Sequence, residues 1–348
     1  MDGIRGIGLK GFIISAAAAL MLFAAVIGLM GCEPKGRDRE DGKVRLDIGI
    51  SFPEDDWRSA FLKDFAEELT VNSKGEIDVR MHYIDEYPDM VDLLKELNKG
   101  SGKLDIILCA NAYLADVSVS DFYLTGLPYL FKDFEDAWAF AESDINARIE
   151  AKLPEYGMRV LAHFCGGFRN LAAVRQINTP GDMAGMVIAT VKSPLMMDML
   201  SELGSDPQVS LVGELYDSVK KGIYTGAEMS LATLVRDKDY QVLPYVAVTN
   251  HAYNLWSLLI NEDTWAGISE DNRKIIKESA EKYAAEERKA SKKYAEENIK
   301  QLEENGATVN YPDHDLFKNA TRKVRERYSA DYNATYIEAE RFLDNLAG

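Results

Sequence analysis

Residues 44–110 read VRLDIGISFPEDDWRSAFLKDFAEELTVNSKGEIDVRMHYIDEYPDMVDLLKELNKGSGKLDIILCA, and their pattern decides the fold. Val44, Leu46, Ile48 and Ile50 alternate with polar or small neighbours, the period of a strand. Phe61, Phe65 and Leu69 then recur every four residues, which puts them on one face of a helix from about Asp56 to Val71 that stops near Gly75. Ile77 to Tyr83 reads as a second strand. A loop with Pro88 and a helix through Val91, Leu94 and Leu97 lead to a third strand, Leu104 to Ala110. Alternating strands and helices predict a parallel sheet in an α/β domain, with ligands at the C-terminal ends of the strands. Those ends open the loops at Ser51, His82 and Cys109.

Downstream, Arg159 to Phe164 reads as a strand ending at Cys165-Gly166-Gly167. Met186 to Val191, Val209 with Leu211, and Ala247 onward supply further short β segments. Short helices are expected over Asp198–Gly204 and Leu215–Gly222, the latter with Gly222 as its stop. Ser269 caps a long helix, with Glu270 and Asp271 against the positive end of its dipole, and Gly306 terminates it. Its apolar seam of Ile276, Ala280, Tyr283, Ala290, Tyr294 and Ile299 is narrow. Such a helix either lies across two lobes or pairs as a coiled coil, and the poorly kept heptad disfavours the second reading.

Upstream, Arg5 and Lys10 precede an apolar stretch from Phe12 to Met30, the pattern of an export signal; a permanent anchor helix is the alternative. Leu29-Met30-Gly31-Cys32 resembles the bacterial lipobox, with the bulky Met30 atypical of it. The expectation is a lipoprotein signal peptide over residues 1–31, lipidation at Cys32, and a polar tether over 32–43. Gly6-Ile7-Gly8-Leu9-Lys10-Gly11 matches the dinucleotide fingerprint formally, but lacks the strand–turn–helix setting it needs. The 348 residues are 47% apolar and 28% charged, a globular balance long enough for two domains. A net charge of −17 disfavours nucleic acid as a partner.

Catalytic signatures are missing. His82, His163, His251 and His314 form no zinc-binding HxxxH pair, and no GxSxG elbow, phosphate loop or EF-hand loop is found. No cofactor or metal is expected. Cys109 and Cys165 are each read as closing a strand, as buried thiols or, alternatively, as a bridge.

Several landmarks in order resemble those of one family. They are Phe65-Ala66-Glu67-Glu68, Gly126-Leu127-Pro128-Tyr129-Leu130-Phe131-Lys132-Asp133, Gly167-Phe168-Arg169, Thr179-Pro180-Gly181-Asp182-Met183-Ala184-Gly185, Gly213-Glu214-Leu215-Tyr216, Gly226-Ala227-Glu228 and Thr249-Asn250-His251. The chain resembles the extracytoplasmic solute-binding proteins of tripartite ATP-independent periplasmic (TRAP) transporters, of the dicarboxylate type. The resemblance implies a two-lobed, type II periplasmic-binding-protein-like α/β fold with a hinge and a long helix spanning both lobes. On this reading lobe I comprises 44–165 and about 255–294, and lobe II 166–254 and about 295–348. It implies a periplasmic or cell-surface receptor that is no enzyme and hands a small organic solute to a membrane permease. A receptor of an ATP-driven importer and a secreted enzyme are the competing classes.

Similar proteins clamp a carboxylate with two arginines, whose guanidinium forks make paired charge-assisted hydrogen bonds. Arg169 matches the first. The second falls on Ala189, and the usual asparagine after Gly-x-Glu falls on Met229. Three ligand readings follow: a monocarboxylate on Arg169 with its tail near Met229 and aromatics, a carboxylate met by Lys192, or a neutral or cationic solute held by acids and aromatic faces. Candidate contacts are Arg169, Asp56, Trp57, Tyr83, Tyr87, Asn111, Thr190, Met229 and Tyr253, with Tyr113 near them. Asp55 or Asp56 has a competing role as helix cap, and Arg169 as partner of a lobe carboxylate.

Overall fold

A computed structural model describes residues 43–98, 103–210 and 213–346. The expected export segment, Cys32, the tether up to residue 42, the fingerprint-like run and Leu211 lie outside the described residues. Among the described residues nine strands form one mixed sheet: β1 (Val44–Gly49), β2 (Ile77–His82), β3 (Ile106–Ala110), β4 (Met158–Ala173), β5 (Val187–Thr190), β6 (Asp206–Val209), β7 (Gly226–Ser230), β8 (Tyr245–Asn261) and β9 (Thr308–Asn310). Their order is β2-β1-β3-β8-β4-β7-β5-β6, with β9 beside β8.

Each flank is a small parallel sheet. β1 runs parallel to β2 and β3, and β5 runs parallel to β6 and β7, as strand–helix alternation predicts. β4 and β8 are 16 and 17 residues long and pair antiparallel, so together they reach from one flank to the other. β3 pairs with the C-terminal end of β8, and β7 with the C-terminal end of β4. Two lobes therefore share a two-stranded ribbon.

The ribbon corrects one expectation. β4 does not stop at Cys165-Gly166-Gly167 but runs through it, with a shift in pairing register between Cys165 and Phe168. A Cβ on Gly166 would lie 2.0 Å from Trp256 Nε1 of β8, so the glycine makes room for an indole. Cys165 thus sits mid-strand rather than closing one, and Cys109 lies in β3. Both thiols are free and buried, which excludes the bridge.

The helices are α1 (Trp57–Asn72), α2 (Met90–Asn98), α3 (Asn111–Val117), α4 (Phe134–Ala141), α5 (Asp144–Glu150), α6 (Pro194–Glu202), α7 (Leu215–Lys220), α8 (Leu231–Arg236), α9 (Glu262–Gly267), α10 (Glu270–Glu304), α11 (His314–Ala320), α12 (Arg322–Tyr328) and α13 (Asn333–Leu346). Phe65 and Leu69 of α1 are fully buried, as their spacing requires, whereas Phe61 is only partly so. Ser269 caps α10 by accepting from Asn272 N. α10 packs against α1, β4, α8 and β9, so this one helix touches both flanks, and the seam is spent on this chain rather than on a coiled-coil partner. α13, expected with the second lobe, packs against α4 and α5 of the first part of the chain. The apolar residues divide into a large core and a smaller one that holds Ala189, Leu215, Leu231 and Leu302.

Candidate functional site

Where the ribbon meets β7, three polar side chains converge on one buried carboxylate. β4 and β7 pair so that Arg169 and Glu228 lie two positions apart across the ladder. Arg169 grips Glu228 with its fork: Nε donates to Oε1, and Nη2 donates to Oε2 at 2.8 Å and to the backbone oxygen at 3.1 Å. Thr190 of β5 donates to the same Oε2 at 2.7 Å. His251 Nε2 lies 3.1 Å from Oε1, and its Nδ1 is 2.9 Å from Thr249 Oγ1. Burial alone would raise the Glu228 carboxyl, but the Arg169 charge and the His251 hydrogen bond outweigh it and hold the group well below the usual carboxylate range. Burial likewise works against the Arg169 charge, and Glu228 more than restores it.

Arg169 therefore has the lobe-carboxylate partner named as its competing role. Its third nitrogen, Nη1, has no hydrogen-bond partner among the described residues. Tyr113 of α3 is close enough to sense the Arg169 charge, although burial dominates and raises its hydroxyl to about 12. At the start of the same helix, Asn111 is buried, and its Oδ1 accepts from Ser257 Oγ at 2.7 Å. Its Nδ2 is buried without a partner. An unmet donor of this kind costs roughly 1–3 kcal/mol and calls for an acceptor.

On the α10 side of the ribbon a cleft of about 260 Å³ is lined by Trp57, Phe134, Gly166, Phe168, Asn170 and Tyr294, among others. Phe168 and Asn170 line it, whereas Arg169 between them does not, in keeping with alternating side chains. Of the candidate residues only Trp57 lines this cleft. Asp56 caps α1 by accepting from Arg58 N and is ion-paired to Arg58 at 2.6 Å and to Arg236 of α8 at 3.1 Å. With those bonds made, its role is the cap and a bridge to α8.

The other candidates scatter. Tyr253 is packed edge-on against Phe131, Phe134 and Phe168, and its hydroxyl accepts from Trp138 Nε1 at 3.0 Å, a core role. Tyr87 is buried edge-on to His82, and Tyr83 lies under Lys63. Met229 pairs with Asn170 across the ladder. Ala189, where the second arginine is expected, belongs to the smaller apolar core, and Lys192 is exposed. Among the described residues no cluster of metal ligands is found, and no helix is long and apolar enough to cross a membrane.

Residues 48–331 match the family described as Bacterial extracellular solute-binding protein, family 7 (DctP). The chain belongs to this family. A solute-binding protein of Chromohalobacter salexigens is 26% identical over 255 residues, 72% of this chain and 74% of its own. A TRAP periplasmic solute-binding protein from Sulfitobacter sp., solved with bound β-D-galacturonate, superposes with a TM-score of 0.79 at 22% identity, covering 86% of this chain and 99% of that one. Another from Chromohalobacter salexigens, solved with bound D-glucuronate, gives 0.80 at 22% identity, over 86% and 99% of the two chains. The protein is thus a TRAP-type receptor of the periplasmic solute-binding class, and its two-lobed fold is that of its neighbours.

Sequence reasoning did not assign a role to two members of the receptor's polar cluster, Glu228 and His251. Both lie within family landmarks, Gly226-Ala227-Glu228 and Thr249-Asn250-His251, and that was the available signal. Bringing Glu228 to Arg169, and His251 to Glu228, needs the β4–β7 and β4–β8 registers, which no local pattern encodes.

Proposed function

We propose that this receptor captures a small monocarboxylic organic acid, such as a sugar acid, by closing its lobes, and delivers it to a TRAP permease without chemical turnover. The observation that carries the reading is a pair of donors without protein acceptors, Arg169 Nη1 and the buried Asn111 Nδ2, on elements where the two flanks meet. Carboxylate and hydroxyl oxygens are what such donors accept. Solved relatives that hold galacturonate and glucuronate support this ligand class. Glu228 already neutralises Arg169 in part, and Ala189 supplies no second cation, so one carboxylate suits the site better than two. The lobes are assigned as 44–165 with about 255–294, and 166–254 with the following segments, α13 excepted. Lipidation at Cys32 anchors the receptor to the membrane.

Calorimetric titration of the chain from residue 43 onward with D-glucuronate, D-galacturonate and short hydroxy acids tests the site. Binding is expected to weaken by roughly 10- to 100-fold in Arg169→Lys and about tenfold in Asn111→Ala, each lost charged or neutral hydrogen bond accounting for that factor. Unchanged affinity in both variants overturns the site; conversion of the bound acid on incubation overturns the receptor-only reading.

A further inference from the structure

The orientation of the Asn111 amide is set from outside the site. Ser257, fully buried on β8, donates its single hydroxyl proton to Asn111 Oδ1. The same hydroxyl lies 3.2 Å from His163 Nδ1 on β4. The other nitrogen of that ring, Nε2, is 2.5 Å from Glu150 Oε1 and 3.0 Å from Asn146 Nδ2, both on α5. Among the described residues Glu150 is the one charged group in hydrogen-bond contact with the ring; Asn146 on α5 and Ser257 on β8 are its neutral contacts.

Donor counting fixes the consequences. A hydroxyl has one hydrogen to give and two lone pairs to offer. While both ring nitrogens carry hydrogen, Nε2 donates to Glu150 and Nδ1 donates to Ser257 Oγ. The Ser257 hydrogen then has only Asn111 Oδ1 to meet, which leaves Nδ2 as the end of the amide without a protein acceptor. When the ring gives up one proton, the carboxylate of Glu150 keeps the hydrogen on Nε2. Nδ1 becomes an acceptor and competes with Asn111 Oδ1 for the Ser257 hydrogen, so the amide loses its fixed orientation. We propose that His163 is a positioning residue for the solute site, acting through Ser257 to decide which end of the Asn111 amide faces the solute, its charged ring favouring the N–H end and an anionic oxygen. This rests on the assignment of Asn111 to the solute site.

Two measurements test it. In the ligand-free protein, the side-chain ¹⁵N–¹H signals of Asn111, assigned by their loss in Asn111→Ala, are expected to shift in step with the His163 ring signals along a pH series. In Ser257→Ala they are expected to stay still. D-Glucuronate is expected to bind about tenfold more tightly to the wild type at the acid end of that series, where the sugar acid is still ionised, and about tenfold more weakly and without pH dependence in Ser257→Ala. Asn111 signals that ignore His163, or that follow it equally in Ser257→Ala, overturn the relay. Signals that follow it in a protein that binds no organic acid uphold the relay and overturn the solute assignment instead.

Discussion

Glu228 and Glu287 are two buried carboxyls with opposite titration behaviour, and each predicts its own pH window. Glu228, held low by Arg169 and His251 against the cost of burial, is ionised in the fold. Its contribution is present above its unfolded value of 4.5 and is lost as pH falls below that value toward the lower folded one. Glu228→Gln leaves the buried Arg169 guanidinium without its counter-charge, and urea unfolding at pH 7 is expected to show a loss of about 3–5 kcal/mol. Glu287, on α10, is raised to about 8 by burial, against the single hydrogen bond that its Oε2 accepts from Cys165 N at 2.8 Å and the weaker pull of Arg58 and Arg288. The folded state then holds a proton that the unfolded chain releases, so stability declines as pH rises from 4.5 to about 8. Glu287→Gln is expected to flatten that decline and to exceed the wild type at pH 9 by on the order of 2–4 kcal/mol in the same assay.

At the scale of elements, β4 passes close under Trp256 of β8 because Gly166 has no side chain. Gly166→Ala places a methyl against Trp256 Nε1 and near Asn254 Nδ2 at 2.8 Å, and the strand ladder leaves little room to yield. A loss of about 1–3 kcal/mol in chemical unfolding is expected, and a variant as stable as the wild type would show that the ribbon relaxes freely. The same glycine shows where local pattern reading runs out. Alternation in β1, the four-residue spacing in α1 and the Ser269 cap of α10 are signals between near neighbours, and the structure has all three elements there. A Gly-Gly pair reads as a stop by the same local logic, yet here it accommodates an indole from β8. The site divides likewise. Arg169 stands out through its landmark, whereas its capture by Glu228 and the apolar setting of Ala189 follow from strand register and from the smaller core. Asp56, an acid before a helix, has the capping role that the pattern allows.

For the whole molecule, the balance between open and closed lobes depends on contacts made in only one of them. Asp56 on the α1 side and Arg236 on α8 form a contact across the flanks, at 3.1 Å, which is expected to break if the lobes part. Arg236 is 28% exposed and also pairs with Asp237, so the bridge contributes little to overall stability, about 0–1 kcal/mol. That small amount is still enough to change a two-state population several-fold. Arg236→Met is therefore expected to leave the melting temperature within a few degrees of the wild type. It is also expected to populate conformations in which α1 and α8 stand further apart. Spin labels at the exposed Ala60 of α1 and at the exposed Lys238, two residues past α8, report that separation. In the wild type, pulsed dipolar spectroscopy is expected to give a narrow distance distribution, which broadens toward longer distances in Arg236→Met. Saturating D-glucuronate is expected to narrow it again, because solute contacts from both lobes favour the closed form by their own differential affinity. A distribution that is identical in the two proteins, with and without the acid, would mean that the ribbon and α10 hold the lobes as one rigid body.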